Sequence, residues 1–124
     1  MILVDSSVWI DHLRRRDAEL VALLNAGVVM CHPFVIGELA CGNLPNRESL
    51  LAELANLPGA PVAAHDEAMA FVDRHALTGR GIGWVDAHLL ASAYLAGHAP
   101  LLTRDKRLRA VAGDLGLCAR VPRH

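Results

Sequence analysis

Ile2-Leu3-Val4-Asp5-Ser6-Ser7-Val8-Trp9-Ile10-Asp11-His12-Leu13 is the stretch on which the fold turns. Three apolar, strand-forming residues run straight into a carboxylate and two hydroxyls, and Val8, Trp9, Asp11 and Leu13 then continue as a helix. Asp5 or Ser6 can accept from the orphan amides of a helical first turn, so a short buried strand passes directly into a helix.

The same alternation runs outward to the end of the chain. After Asp17 a helix through Leu20, Leu23 and Leu24 stops at Asn25-Ala26-Gly27, and Val28-Val29-Met30-Cys31 is a second strand. Pro33 suits the first turn of a helix reaching Cys41, and Arg47 to Leu57 forms another, closed by Pro58-Gly59 and Pro61. Pro61-Val62-Ala63-Ala64 reads as a third strand, followed by a helix from about His65 to His75. Gly79-Arg80-Gly81-Ile82-Gly83 breaks the pattern before a long helix, Val85 to Leu95. Pro100 to Thr103 is a strand, Asp105 to Leu115 a helix, and Leu117 to Val121 the last strand. The expectation is α/β: a mostly parallel sheet of about five short strands with helices on both faces, in one domain spanning residues 1–124.

Composition narrows the class. The chain has 124 residues, 53% of them hydrophobic, yet those are spread along its length, with no uninterrupted apolar run of about 18 that could span a membrane. Asp5 follows the first apolar residues at once, which argues against a secretory signal and for a cytoplasmic protein. Cys31, Cys41 and Cys118 form no C-x-x-C pair and read as reduced thiols. The net charge of −1 predicts no general affinity for nucleic acid, but from position 104 onward six cations face only Asp105 and Asp114.

Four acids stand out because each follows or interrupts an apolar run: Asp5, Glu38, Asp86 and Asp105. Asp5 and Asp105 fall at strand-to-helix turns, the edge of a parallel sheet where functional clefts open, although either also fits a simple helix cap. Glu38 is the only charge in its helix and shares a face with Phe34, Val35, Cys41 and Gly42, which predicts a carboxylate set in an apolar stripe. Asp86 heads the stripe of Leu89, Leu90 and Ala93. Two unit charges about 4 Å apart repel by roughly 4 kcal/mol at an effective dielectric near 20. Acids that converge must therefore share protons or hold a cation, and an all-oxygen site suits Mg²⁺ or Mn²⁺.

Leu3-Val4-Asp5-Ser6-Ser7-Val8-Trp9-Ile10, Gly37-Glu38-Leu39-Ala40-Cys41-Gly42, Trp84-Val85-Asp86-Ala87-His88-Leu89-Leu90-Ala91 and Leu102-Thr103-Arg104-Asp105-Lys106-Arg107-Leu108 together resemble, in content and order, the VapC-type PIN-domain toxins. The resemblance implies a three-layer α/β/α sandwich and a homodimer. It implies a metal-dependent endoribonuclease, the toxin of a type II toxin–antitoxin system, silenced by a cognate antitoxin. Asp5, Glu38, Asp86 and Asp105 match the family's acidic quartet, with Asp5 and Asp86 as direct ligands of Mg²⁺ or Mn²⁺. Ser6 and Thr103 match small hydroxyl residues that orient it. Many relatives carry Asp-Phe where this chain has Arg107-Leu108, which leaves Asp105 to bind metal directly or through water. Arg104, Lys106, Arg107 and Arg109 flank Asp105 where RNA phosphates would arrive, and an antitoxin is another user of the same charges.

Other patterns carry less. The Gly79–Gly83 segment does not follow a strand and lacks the G-x-G-x-x-G register, so it reads as a turn beside the site. His88 lies two positions from Asp86 and turns to another face, and Trp9 and Trp84 read as packing residues. A receiver-like signalling domain also gathers acids around Mg²⁺, but it needs adjacent acids after the first strand, where Ser6-Ser7 stands. A catalytically inactive interaction domain is the third reading.

Overall fold

Each strand gives way to a helix at a residue whose side chain caps it. In a computed structural model that describes residues 1–119, β1 (Ile2–Val4) ends at Asp5, whose carboxylate accepts from the Ser6 amide and starts α1 (Ser6–Arg14). Asp17 accepts from Leu20 N and starts α2 (Ala18–Asn25). β2 (Val29–Met30) leads through His32, whose ring accepts from Phe34 N, into α3 (Pro33–Ala40), with Pro33 where its missing N–H costs nothing. α4 (Arg47–Ala55), α5 (His65–Arg74) and α6 (Trp84–Leu95) follow, then β3 (Leu101–Leu102) and, capped by Asp105, α7 (Lys106–Asp114).

The sheet is parallel, in the order β2-β1-β3, with Leu3 opposite Met30 on one side and Leu101 on the other. Leu3 and Val4 of the central strand are fully buried, as a strand covered on both faces must be. Among the described residues seven helices flank it; α1 packs on α3, α3 on α4, α5 on α6, and α6 against β3. From Ala87 to Ala93 every residue of α6 is buried, so this helix is the axis of the core.

Among the described residues the expected five strands reduce to three; a single bridge, Cys31 with Gly59, stands just ahead of the expected Pro61–Ala64 strand, and another, Leu101 with Cys118, falls within the last one. Proline accounts for the first. Cys31 N donates to Pro58 O and Ala60 N to Cys31 O, both at 2.8 Å, but the next rung would fall on Pro33, which has no amide to give Ala60 O and already opens α3, and Pro61–Ala64 stays outside the sheet. At the other edge Leu101 N donates to Leu117 O at 2.6 Å and Ala119 N to Leu101 O at 3.1 Å. The rest of that expected strand, Arg120 and Val121, lies outside the described residues. Among the described residues no helix is long and apolar enough to cross a membrane.

One buried polar contact joins the start of α3 to α6. His32 Nδ1 accepts from Phe34 N at 3.0 Å, so the ring hydrogen sits on Nε2, which donates to Ser92 Oγ, also at 3.0 Å. Both residues are wholly buried, and burial, with repulsion from His88, lowers the His32 pKa to about 4. α3 is thereby tied to α6, and these are the helices that carry Glu38 and Asp86.

Candidate active site

Asp5 is the hub of the site. It is 5% exposed, and its Oδ2 accepts from two hydroxyls, Ser7 Oγ and Thr103 Oγ1, each at 2.8 Å. Each hydroxyl accepts in turn from an amide of the turn between β3 and α7: Ser7 Oγ from Arg104 N at 3.0 Å, Thr103 Oγ1 from Asp105 N at 3.1 Å. With both protons given to Asp5, the 3.4 Å approach of Ser7 Oγ to Thr103 Oγ1 is a contact and not a further bond. Asp5 Oδ1 takes the Ser6 amide at 2.8 Å, and Ser6 Oγ sits between Asp5 Oδ1 at 3.4 Å and Glu38 Oε1 at 3.3 Å.

The other three acids stand around this hub. Glu38 is exposed: the buried positions of α3 are Val35 and Leu39, so the carboxylate expected in an apolar stripe instead faces outward beside Ser6. The reason is that α3 buries only a narrow edge, because Pro33 and Gly37 also face solvent. Partial burial, then the Asp5 and Asp86 charges, raise the Glu38 pKa against the Ser6 hydrogen bond. Asp86 is half-buried at the head of α6; burial raises its pKa, as do Asp5 and Asp105, while a 3.2 Å bond from Gly83 N opposes them. Asp105 is exposed and spends Oδ1 on the Leu108 amide at 2.9 Å. The Asp5 and Asp86 charges thus bear on Glu38, and the Asp5 and Asp105 charges on Asp86.

The donor set is oxygen alone. Asp86 and Asp105 each place one oxygen on backbone and Glu38 places one on Ser6, which leaves Oδ1, Oδ2 and Oε2 respectively for a ligand. Among the described residues no three His, Cys, Asp or Glu side chains stand close enough to enclose an ion by themselves. Unneutralised carboxylates repel, and such a spread suits a hard cation that keeps part of its water shell better than a closed cage would. The residues fit Mg²⁺ or Mn²⁺ in that sense.

The basic residues divide. Lys106, Arg107 and Arg109 are exposed on α7. Arg109 Nη2 donates to Thr103 O at 3.0 Å, and Arg107 lies across Gly81, where an added Cβ would meet its Cδ at 2.7 Å. Arg104, expected among the phosphate-facing cations, is turned away from them. Its guanidinium meets Asp17 at 2.6 Å, with Asp11 at 3.7 Å and Glu19 at 3.8 Å. Opposite charges at that distance hold the half-buried guanidinium in a charge-assisted hydrogen bond.

Sequence reasoning passed over Ser7, which contributes as much to Asp5 as Thr103 does. The signal was present in the tandem serines at a strand-to-helix turn, where one hydroxyl can cap and the other can reach back. His88 is buried, edge-on to Trp84 at 4.6 Å and to Phe34 at 4.7 Å, while Trp84 itself is 40% exposed.

A family model for the PIN domain matches residues 2–114. The chain is 54% identical over 117 residues to Ribonuclease VapC32 of Mycobacterium tuberculosis, in strain CDC 1551 / Oshkosh and equally in strain ATCC 25618 / H37Rv, and the match covers 94% of this chain and 94% of the relative.

Proposed function

The chain belongs to the PIN-domain family, among its VapC-type ribonucleases, and from that membership we propose that it is a metal-dependent endoribonuclease, the toxin of a type II toxin–antitoxin pair. The observation that carries the reading is the placement of Asp5 and Asp105 at the strand-to-helix turns of a parallel sheet, with Ser6 Oγ set between the Asp5 and Glu38 carboxylates and Asp86 at the head of α6. Family membership also removes the receiver-like alternative.

Asp5 and Asp86 are assigned as direct ligands of Mg²⁺ or Mn²⁺, with Glu38 and Asp105 completing the set directly or through water. A bound divalent ion supplies an acidified water and neutralises charge for in-line displacement at an RNA phosphate. The chain's own part is orientation. Thr103 and Ser7 hold Asp5 in one rotamer, Ser6 keeps Glu38 facing Asp5, and Gly83 N steadies Asp86. Lys106, Arg107 and Arg109 receive flanking phosphates. No side-chain nucleophile takes part. The whole chain, 1–124, works as one domain in the cytoplasm, as a homodimer, until an antitoxin occupies it.

Incubation of the purified protein with RNA and Mn²⁺ tests the reading. Expected are fragments with 5′-phosphate and 3′-hydroxyl ends, lost on chelation and in Asp5→Asn or Asp86→Asn with the fold retained. Products ending in 2′,3′-cyclic phosphate, or full activity of Asp86→Asn, would overturn it; no cleavage of any RNA would leave an interaction domain.

A further inference from the structure

Arg104 sends its side chain and its main chain toward different partners, and both are gripped. The guanidinium donates to Asp17 Oδ2 at 2.6 Å, with side chains only 33% and 13% exposed. The amide donates to Ser7 Oγ at 3.0 Å, and Ser7 Oγ donates to Asp5 Oδ2 at 2.8 Å. Arg104 therefore sits between Thr103, bonded to the same Asp5 oxygen, and Asp105, the acid that follows. Burial alone would raise the Asp17 carboxyl, but the Leu20 amide and Arg104 outweigh it and hold it below the ordinary carboxylate range. Three acids gather around this one guanidinium, none of them in the quartet. A partly exposed ion pair adds little to stability. What this one does is pin the three-residue turn that carries one acid of the site and orients another.

We propose that Asp17, in the connection between α1 and α2, is a positioning residue of the acidic site. It acts through Arg104 to fix the Thr103–Asp105 turn, and Arg104 is a strut and not a phosphate ligand. The proposal rests on the nuclease reading of that site and adds a residue outside the quartet and its hydroxyls.

The two roles of Arg104 give opposite signs for Asp17→Asn. Asparagine caps α2 as well as aspartate does, so the substitution removes the charge and spares the helix. If Asp17 merely occupies a phosphate-binding arginine, its neutralisation frees Arg104 and RNA binds more tightly. If Arg104 is a strut, kcat falls about tenfold while KM for RNA holds, and Mn²⁺ affinity, measured by calorimetry on the RNA-free protein, falls by a similar factor, the size seen when partners of ligating groups are lost. Arg104→Met should match Asp17→Asn, the double variant should be no worse than either, and Arg104→Lys should recover part of the Mn²⁺ affinity. Unchanged Mn²⁺ affinity in Asp17→Asn, or a salt dependence of RNA binding shallower by about one phosphate contact in Arg104→Met, would overturn the proposal. Should the wild-type protein cleave no RNA, the nuclease reading fails on its own, and the Mn²⁺ titrations still decide the strut.

Discussion

Two hydroxyls on one carboxylate oxygen make Asp5 the best-held side chain of the site, and Thr103 is the more exacting of the two. It is 3% exposed, donates to Asp5 and accepts from Asp105 N, so its loss takes a hydrogen bond from the buried Asp5 carboxylate and leaves the Asp105 amide without its partner. Thr103→Val keeps the shape and removes both bonds. Unfolding free energy should drop by about 1–3 kcal/mol in a denaturant titration, and Mn²⁺ affinity by about 10- to 100-fold, whereas Thr103→Ser should stay close to wild type. The four acids stood out in the sequence because a carboxylate placed against an apolar run needs a reason, and Thr103 stood out only through the family resemblance. Ser7 did not, since a hydroxyl at a strand-to-helix turn fits a cap equally well. The ion pair of Arg104 was not legible for a different cause: its partner Asp17 lies 87 residues away, and a cation beside an acidic motif looks free until the fold supplies the counter-charge.

Helices α3 and α6 bring Glu38 and Asp86 to Asp5, and the contact that joins them is sensitive to pH. His32 titrates near 4 in the folded protein against about 6.5 when exposed, so between those values the unfolded chain binds more protons. Its contribution is therefore intact above about pH 6.5 and is lost as pH falls toward 4, in total about 3 kcal/mol. Urea unfolding followed from pH 7 to 4 should show this slope, and His32→Gln should flatten it. The Gly79–Gly83 segment calls for a paired test. Gly79 (φ 74) and Gly81 (φ 80) both use backbone that side chains resist, but only at Gly81 would a Cβ displace Arg107. Gly79→Ala and Gly81→Ala should lose similar stability, about 1–2 kcal/mol, while only the second weakens RNA binding. Element types read well from the sequence because the caps Asp5, Asp17 and Asp105 and the stop at Gly27 are local. Sheet width did not, because whether a segment pairs for one residue or four depends on how soon Pro33 and α3 follow the rung at Cys31, which the spacing of the partner segment does not reveal.

At the scale of the molecule, a net charge of −1 hides a division of labour. The acids crowd one mouth at the sheet edge, where a polyanion would be repelled, and the exposed cations Lys106, Arg107 and Arg109 stand on the helix that begins at Asp105. On the proposed reading these cations take the flanking phosphates of an RNA while a divalent ion neutralises the mouth. Binding should therefore weaken steeply with salt and also require metal. In Lys106→Ala/Arg107→Ala the slope of log affinity against log salt should become shallower by about 1.4, two single-strand phosphate contacts at roughly 0.7 each. The variant should keep wild-type Mn²⁺ affinity, because neither side chain touches Asp5, Glu38 or Asp86. Fluorescence anisotropy of a labelled RNA between low and moderate salt, with Ca²⁺ in place of Mn²⁺ to slow cleavage, reads the slope directly. An unaltered slope would move the phosphate path off α7 and onto another face of the protein.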